Sequence, residues 1–260
     1  MNTVKSLVLG ILALLILFSS SALSQTSTTS LQGTVTDPSG GAIANATVAL
    51  VNAETKTERT TTTGAQGEYR FQFLPPGTYT LTVSAAGFAR QEQTGLQLLV
   101  NTPATVNVQM KVGSASESVT VSSEAPALNL VDASLGNSFS EMQVKQIPLE
   151  GRNVPDLLNL QAGVTYTGNR SDIDKQQDTR SGSVNGARSD QSNVTLDGVD
   201  VNDQGSGNAF TSVLPVTLDS VQEFRVTTTN YNADQGQGSG AQVALVTKSG
   251  TNKFHGSLYE

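Results

Sequence analysis

Three aspartates of the sequence stand at a spacing similar to that of a calcium-binding loop. They are Asp172, Asp174 and Asp178. Such a loop needs glycine at its sixth position and a bidentate glutamate at its twelfth. The sequence has Gln177 and Ser183 at these two positions. We therefore interpret the stretch as a solvated loop rather than a metal site.

Residues that commonly carry catalysis are scarce. The sequence contains one histidine, His255, and no cysteine. This composition excludes His₂ and His₃ metal centres, thiolate zinc sites and disulfide scaffolds, and it leaves little room for a serine–histidine hydrolase. Gly236, Gly238 and Gly240 lack the helix and the later acidic residue of a dinucleotide site. We expect no catalytic residue, no metal and no cofactor.

The charge balance excludes another class of function. The 260 residues include 15 Lys and Arg against 22 Asp and Glu, which gives a net charge of −7. A nucleic-acid-binding protein needs a basic footprint, so we expect no nucleic-acid partner. Charged residues make up only 14% of the chain, and this low share favours a β-rich, extracytoplasmic protein.

The first residues are typical of a secretory signal peptide. Lys5 precedes an apolar run from Leu7 to Phe18, and Ala22-Leu23-Ser24 follows as a small-x-small cleavage site. The run is too short to span a bilayer stably. We expect residues 1–24 to direct export and to be removed.

Residues 30–112 alternate between apolar and polar side chains, which predicts short strands with one buried face. The alternating sets are Val48 and Leu50; Tyr69, Phe71 and Phe73; Tyr79, Leu81 and Val83; and Val106, Val108 and Met110. Turn residues separate the sets, for example Asp37-Pro38-Ser39-Gly40-Gly41. The spacing predicts a small β-sandwich.

Two side-chain types in this segment have alternative interpretations. Tyr69, Phe71, Phe73 and Tyr79 share the parity of the core positions, so we expect them to fill the core rather than stack on a sugar. Asp37 precedes Pro38 and is expected to cap the turn rather than to bind calcium.

Residues 113–124 form a linker rich in Gly, Ser and Glu. One short alternating piece lies within it, Glu117-Ser118-Val119-Thr120-Val121-Ser122. It is either a strand at the edge of a neighbouring sheet or an exposed strand that a partner's sheet recognises through main-chain hydrogen bonds.

Residues 125–251 have a mixed α+β pattern. Ser138 or Ser140 could cap a short helix that ends before Pro148. A second helix is expected from Asn153 onward, and strands are expected at residues 224–228 and 242–248. Asn185-Gly186 and Asp197-Gly198 are tight-turn dipeptides.

The order of residues in the first segment resembles the carboxypeptidase-regulatory-like domain, a prealbumin-like sandwich with a carbohydrate-binding-like fold. The motifs that carry the resemblance are Gly33-x-Val35-x-Asp37, Ala46-x-Val48, Gly67-x-Tyr69-x-Phe71-x-x-Leu74-x-x-Gly77-x-Tyr79-x-Leu81-x-Val83 and Gly87-Phe88. In that family the module accompanies a zinc peptidase and is not itself the enzyme.

The second segment resembles the plug domain of TonB-dependent outer-membrane receptors. The motifs are Ile147-Pro148-Leu149-x-Gly151-Arg152, Leu157-Leu158-x-Leu160-x-x-Gly163-Val164, Asn185-Gly186-x-Arg188, Leu196-Asp197-Gly198-Val199, Ser220-Val221-Gln222-Glu223-Phe224, Ala241-Gln242-Val243 and Lys248-Ser249-Gly250-Thr251-Asn252. A sandwich ahead of a plug resembles the Oar-like and SusC-like branch. Within the plug, the resemblance implies structural roles for Arg152, Asn185, Gly186, Arg188, Asp197 and Gly198.

The resemblance implies a mainly β protein in which a sandwich precedes an α+β plug, with the function of energy-coupled uptake across an outer membrane. The segment Glu117–Ser122 would then engage a TonB-type energy-transducing protein on the periplasmic side. Residues 252–260 resemble the start of a first barrel strand. We expect the barrel itself to be absent from this chain. The resemblance implies that the plug's partner is this missing C-terminal outer-membrane β-barrel.

Two rival functions accompany this hypothesis. The chain could be an exported carbohydrate-binding or surface-attachment module without a transport role. An enzyme is disfavoured by the single histidine. A siderophore, a glycan and a peptide all remain open as the transported substrate.

Overall fold

The computed structural model describes residues 27–113, 118–122, 129–130, 133–148, 154–167, 181–187, 191–202, 216–232, 235, 238–254 and 256. The predicted signal peptide, Glu117, Arg152, Arg188 and the three aspartates of the calcium-like loop lie outside these residues. Within them the chain is mainly β and has one short α-helix, which confirms the predicted fold class.

Two sheets near the N-terminus share one hydrophobic core. The smaller sheet contains β4 (Glu68–Leu74), β1 (Thr29–Thr36), β7 (Ala104–Thr105) and β8 (Val108–Gln109). The larger contains, in spatial order, β3 (Glu58–Thr62), β2 (Thr47–Asn52), β5 (Gly77–Ser84), β6 (Arg90–Leu98) and β9 (Ser118–Ser122). Leu31 and Phe71 of the smaller sheet lie in the same buried cluster as Leu50 and Leu81 of the larger one. The first unit is therefore a β-sandwich.

Strand β1 is packed closely against the chain that returns beside it. A Cβ added at Gly33 would lie only 1.7 Å from the carbonyl oxygen of Val106. That carbonyl also accepts a 2.7 Å hydrogen bond from the hydroxyl of Tyr69. Glycine at position 33 thus makes room for the backbone approach that joins β1 to the parallel β7 and β8.

The prediction that Phe73 fills the core is wrong. Leu31 pairs with Phe71 and Thr29 with Leu74, so β4 carries one extra residue opposite β1. This β-bulge places Phe73 at φ 53° and reverses the alternation, so Leu74 is buried and Phe73 is 71% exposed. Tyr69, Phe71 and Tyr79 are buried as predicted.

The second unit is built on another five-stranded sheet. In spatial order it contains β10 (Leu135–Ser140), β15 (Val221–Thr229), β16 (Gln242–Thr247), β13 (Asn193–Leu196) and β14 (Val199–Asp200). A separate hairpin is formed by β11 (Val164–Thr167) and β12 (Ser181–Val184). Strands β15 and β16 confirm the strands predicted at residues 224–228 and 242–248.

Two helical segments cover one face of this sheet. Helix α1 (Glu141–Gln146) begins at a capping box in which Ser140 accepts from the Gln143 backbone, and it buries Val144. The second predicted helix is a 3₁₀ helix, Val154–Leu160, that buries Leu157 and Leu158. Both segments contribute to the second unit's own core, with Phe224 and Leu245. Among the described residues, no helix has the length and apolar character that crossing a membrane requires.

Candidate functional site

The segment Ser118–Ser122 forms an edge strand of the sandwich. It pairs in parallel with β6, from Arg90 opposite Ser118 to Thr94 opposite Ser122. In the order of that sheet β9 is the last strand, and β6 is its only neighbour among the described residues. The structure therefore agrees with the interpretation of this segment as a strand at the edge of a neighbouring sheet. In the described part of the chain, the outer edge of β9 has no neighbouring strand.

Strand β16 is buried on both faces, and one of these faces contacts the sandwich. Its alternate residues Val243 and Leu245 belong to the core of the second unit. The residues between them, Ala244 and Val246, form a small buried cluster with Val100 of the sandwich. The sandwich thus covers the second face of the sheet, which explains why this strand reads as an unbroken apolar run.

Strand β15 places charged side chains on the same, sandwich-facing side. Glu223 pairs with Val246 and Arg225 with Ala244, so both follow the parity of the interface residues. Glu223 is 4% exposed. Its Oε2 accepts the backbone N–H of Val100 at 3.0 Å, and its Oε1 accepts the hydroxyl of Ser138 at 2.6 Å.

The carboxyl of Glu223, on β15, consequently forms hydrogen bonds to strand β10 and to the segment that follows β6. Burial raises its pKa, because desolvation penalises the ionised form more than the hydrogen bonds from Ser138 and Val100 and the charge of Arg225 favour it. Further hydrogen bonds across the boundary run from Ser27 N–H to the Asp197 carbonyl, 3.3 Å, and from Asn252 Nδ2 to the Thr55 carbonyl, 3.2 Å. The interface combines an apolar patch with a buried carboxyl group.

A cleft of about 570 Å³ opens beside this interface, between the sandwich and helix α1. Glu54, Glu141 and Lys145 line both this cleft and an adjoining cavity of about 530 Å³. Glu141 contacts the ammonium groups of Lys145 at 2.8 Å and Lys248 at 3.0 Å. Partial burial of Glu141 opposes ionisation, but the two lysines outweigh it and lower its pKa.

Both predicted tight turns are confirmed, and their side chains bind neighbouring strands. Asn185 and Gly186 have φ values of 51° and 79°, and Asp197 and Gly198 have 51° and 86°, the positive values that such turns require. Asp197 accepts the Thr247 N–H at 2.8 Å and the Thr247 hydroxyl at 2.7 Å.

Asn185 connects two elements in the same way. Its side-chain Nδ2 donates to the Thr228 carbonyl at 3.2 Å, and its backbone N–H donates to the Gly163 carbonyl at 2.8 Å. Together the two turns hold the ends of β12 and β13 against the central strands. Arg152 and Arg188, predicted to act with them, lie outside the described residues.

The turn at Asp37 is also formed as predicted. Asp37 Oδ1 accepts hydrogen bonds from the Ser39 hydroxyl, 2.7 Å, and from the Ser39 and Gly41 N–H groups, both 2.8 Å. These bonds, that of the Ser39 hydroxyl first, lower the pKa of Asp37. No group of three or more His, Cys, Asp or Glu residues in the described part of the chain could hold a metal ion.

The sandwich has a counterpart among known protein families. Residues 30–111 match the family model of the carboxypeptidase regulatory-like domain. The first unit is a carboxypeptidase regulatory-like domain. Strand β9, at Ser118–Ser122, lies beyond the residues matched to this regulatory-like domain although it extends one of its sheets.

A relative matches both units. The chain is 28% identical over 253 residues to the TonB-dependent transporter Oar of Myxococcus xanthus, and the match covers 94% of this chain and 22% of the transporter. The chain is homologous to the N-terminal region of that transporter. It spans about a fifth of this relative's length.

Solved structures give weaker likenesses. Catechol 1,2-dioxygenase from Pseudomonas arvilla C-1 is 15% identical, with a TM-score of 0.29 over 42% of this chain and 60% of that one. A putative carbohydrate binding protein from Bacteroides uniformis is 17% identical, with a TM-score of 0.28 over 32% and 40%. These scores are too low to support a functional comparison.

Sequence reasoning missed the interface between the regulatory-like domain and the second unit. One signal was available, because residues 243–246 form a continuous apolar run, typical of a strand buried on both faces. Glu223 and Arg225 alternate with Phe224 and Val226, which indicates that one face of β15 is polar. Nothing in the sequence indicates that this polar face is covered by the sandwich.

Proposed function

We propose that this chain is the N-terminal, periplasmic part of a TonB-dependent outer-membrane transporter that takes up a substrate with energy supplied from the inner membrane. The observation that carries the proposal is the similarity to Oar, which extends over 94% of the chain and so includes both units. A shared regulatory-like domain alone would cover residues 30–111.

The proposal assigns a role to each part of the chain. Residues 1–24 direct export, residues 30–112 form the regulatory-like domain, and residues 113–124 link it to the second unit. Residues 125–251 act as the plug of a C-terminal outer-membrane barrel, whose first strand begins at residues 252–260. The protein then lies at the outer membrane, with its sandwich on the periplasmic face and its plug in the barrel lumen.

Glu117–Ser122 is proposed as the segment that a TonB-type energy-transducing protein engages. β-Strand addition needs an extended segment with a free row of backbone groups. Support comes from residues Ser118–Ser122, which are extended and end their sheet. Main-chain bonding would let the partner hold this strand while it pulls.

A binding experiment tests this assignment. The exported chain should retain the periplasmic domain of a TonB protein in a pull-down, and Val119→Pro should abolish retention because proline removes a backbone donor. Thr120→Ala is the matched control, since it changes an exposed side chain and keeps every backbone amide. Equal retention by the Pro variant would remove the recognition role of this segment.

Asn185, Gly186, Asp197 and Gly198 are proposed to be structural residues of the plug. Their positive φ values and their hydrogen bonds to Thr228 and Thr247 support this role. A non-catalytic role is proposed for the whole chain, and the homology supports it, because the matched protein is a transporter and the matched domain is regulatory-like.

A second candidate function, glycan binding by the sandwich, is favoured by one observation. Phe73 is 71% exposed and held at a positive φ by the bulge in β4. It lines a cavity of about 220 Å³ with Gln72, Asn101, Asn232 and Gln235. An aromatic face next to neutral amides suits a sugar ring. Binding of the chain to a glycan array, lost in Phe73→Ala, would support this function.

A further inference from the structure

Strand β9 is attached to a part of β6 that contributes little to the core. The paired residues of β6, Arg90–Thr94, are Arg, Gln, Glu, Gln and Thr, and each is half-buried or exposed. The buried apolar residues of β6 are Leu96 and Leu98. These two pair with Tyr79 and Gly77 of β5, outside the register of β9.

The apolar residues that β6 gives to the sandwich core thus lie outside the stretch that β9 covers. What holds β9 is a parallel pairing over five residues. Parallel pairing is slightly less stable per residue than antiparallel pairing. A strand offered by another protein in place of β6 would have to replace these main-chain bonds.

The composition of the covered edge of β6 supports a state in which it is exposed. Charged and polar side chains are the devices by which edge strands resist pairing with other chains. Arg90 and Glu92, 3.9 Å apart at their charged groups, lie on the edge that β9 covers. A permanently covered edge has no need of such protection.

We propose that the β6 edge, Arg90–Thr94, is an internal docking surface that holds β9 and competes with the energy-transducing partner for it. This inference rests on the proposed function of Glu117–Ser122. The partner strand takes β9 off the sandwich rather than adding to its outer edge. Pulling on the released strand then loads the chain that leads to the second unit, and the sandwich sheet stays intact.

Docking sets the apparent affinity of the partner. A partner that binds only the released strand sees its dissociation constant divided by the fraction of molecules in which β9 is undocked. Each tenfold reduction of that fraction therefore weakens apparent binding tenfold. Conditions or ligands that loosen β9 would increase coupling without any change in the strand itself.

A disulfide lock tests displacement directly. Glu92 and Thr120 are opposite each other in the register, and neighbouring strands lie about 4.8 Å apart, within reach of a disulfide. The chain has no cysteine of its own, so Glu92→Cys with Thr120→Cys forms one defined cross-link. The oxidised variant should bind the periplasmic domain of a TonB protein at least tenfold more weakly than the same variant after reduction.

The outcomes separate this inference from the proposed function. The reduced double variant is the reference for the effect of the substitutions, and oxidation should leave the binding of each single-cysteine variant unchanged. Equal binding by the oxidised form means that the partner adds to the outer edge, and it overturns displacement while the proposed function stands. Failure of the unaltered chain to bind overturns the proposed function. Failure of the cysteines to cross-link, checked by mass spectrometry, overturns docking on β6.

Hydrogen exchange gives a second readout without any substitution. Addition of the partner domain to the unaltered chain should increase amide exchange in Arg90–Thr94, because these residues lose their outer neighbour. Exchange in Leu96 and Leu98, which are bonded to β5, should stay slow. Unchanged or slower exchange in Arg90–Thr94 on binding would contradict displacement.

Discussion

Glu223 is a buried, ionisable residue of the second unit that forms a hydrogen bond to the sandwich. Its carboxyl is held between the Val100 N–H and the Ser138 hydroxyl and is almost inaccessible to solvent. A buried carboxyl with a raised pKa binds its proton more tightly in the folded than in the unfolded chain. Its contribution to stability is therefore complete below the ordinary pKa of 4.5 and is lost as the pH rises through the folded value.

The corresponding prediction concerns Glu223→Gln. Glutamine keeps an acceptor for the Val100 N–H and offers a donor to Ser138, but it cannot ionise. The free energy of unfolding of the variant should increase relative to that of the unaltered chain as the pH rises from 4.5 to 8. Urea unfolding at several pH values measures this difference. A difference that does not change with pH would contradict the raised pKa.

Glu223→Ala serves as the comparison for that experiment. It leaves the buried Val100 N–H without its acceptor, which costs about 1–3 kcal/mol at low pH, where the Glu223 carboxyl is protonated, and less as the pH rises. A loss that is confined to high pH would mean that the carboxylate charge, and not the hydrogen bond, is what alanine removes.

At the same scale, the aromatic residues show where a sequence pattern reaches its limit. Period-two alternation correctly predicts burial of Tyr69, Phe71 and Tyr79. It fails at Phe73 because a bulge adds one residue to β4, and one added residue moves every later side chain to the opposite face. Leu74 could have signalled the change, since it is apolar at a position that alternation makes exposed.

At the scale of the element, the sequence predicts a short helix capped by Ser138 or Ser140, and helix α1 begins after Ser140. It is only six residues long, and its first turn is fixed by reciprocal hydrogen bonds between Ser140 and Gln143. A short helix gains little from propensity, so the cap and the burial of Val144 decide whether it forms.

The prediction for this element is that Ser140→Ala destabilises the second unit by about 1 kcal/mol, the usual cost of losing a cap. Ser140→Asp should retain stability, because aspartate accepts the same Gln143 N–H and favours the positive end of the helix. Urea unfolding of the three proteins measures the difference. Equal loss in both variants would show that Ser140 acts through packing rather than capping.

Strands were predictable as elements, but their partners were not. The patterns at residues 224–228 and 242–248 predict two strands, and the structure pairs the corresponding strands β15 and β16 antiparallel. The pairing of β6 with β9 joins residues that are 28 positions apart and of mainly polar character. Such a pairing depends on backbone groups, which every residue carries, so the side-chain pattern holds no signal for it.

On the scale of the whole molecule, each unit has a hydrophobic core of its own, and a third, small cluster joins them. The sandwich core and the core of the second sheet are separate. Val100, Ala244 and Val246 form the joining cluster. Two cores with a small shared patch predict that the units can separate without unfolding.

Ala244→Arg tests this arrangement. Ala244 is 5% exposed and faces Val100, so a guanidinium there would have to be buried against apolar surface or force the units apart. Separation costs less than burying an unpaired charge, because the cores of both units remain intact. We expect a larger radius of gyration by small-angle scattering, together with unchanged far-ultraviolet circular dichroism.

The control is Thr60→Arg, the same added side chain at an exposed position of β3. Its scattering should match that of the unaltered chain. Loss of circular dichroism in Ala244→Arg would mean that the second sheet needs the sandwich in order to fold. In that case the two units would form one cooperative body, and a partner that pulls β9 away from β6 would also strain the sheet that contains Glu223.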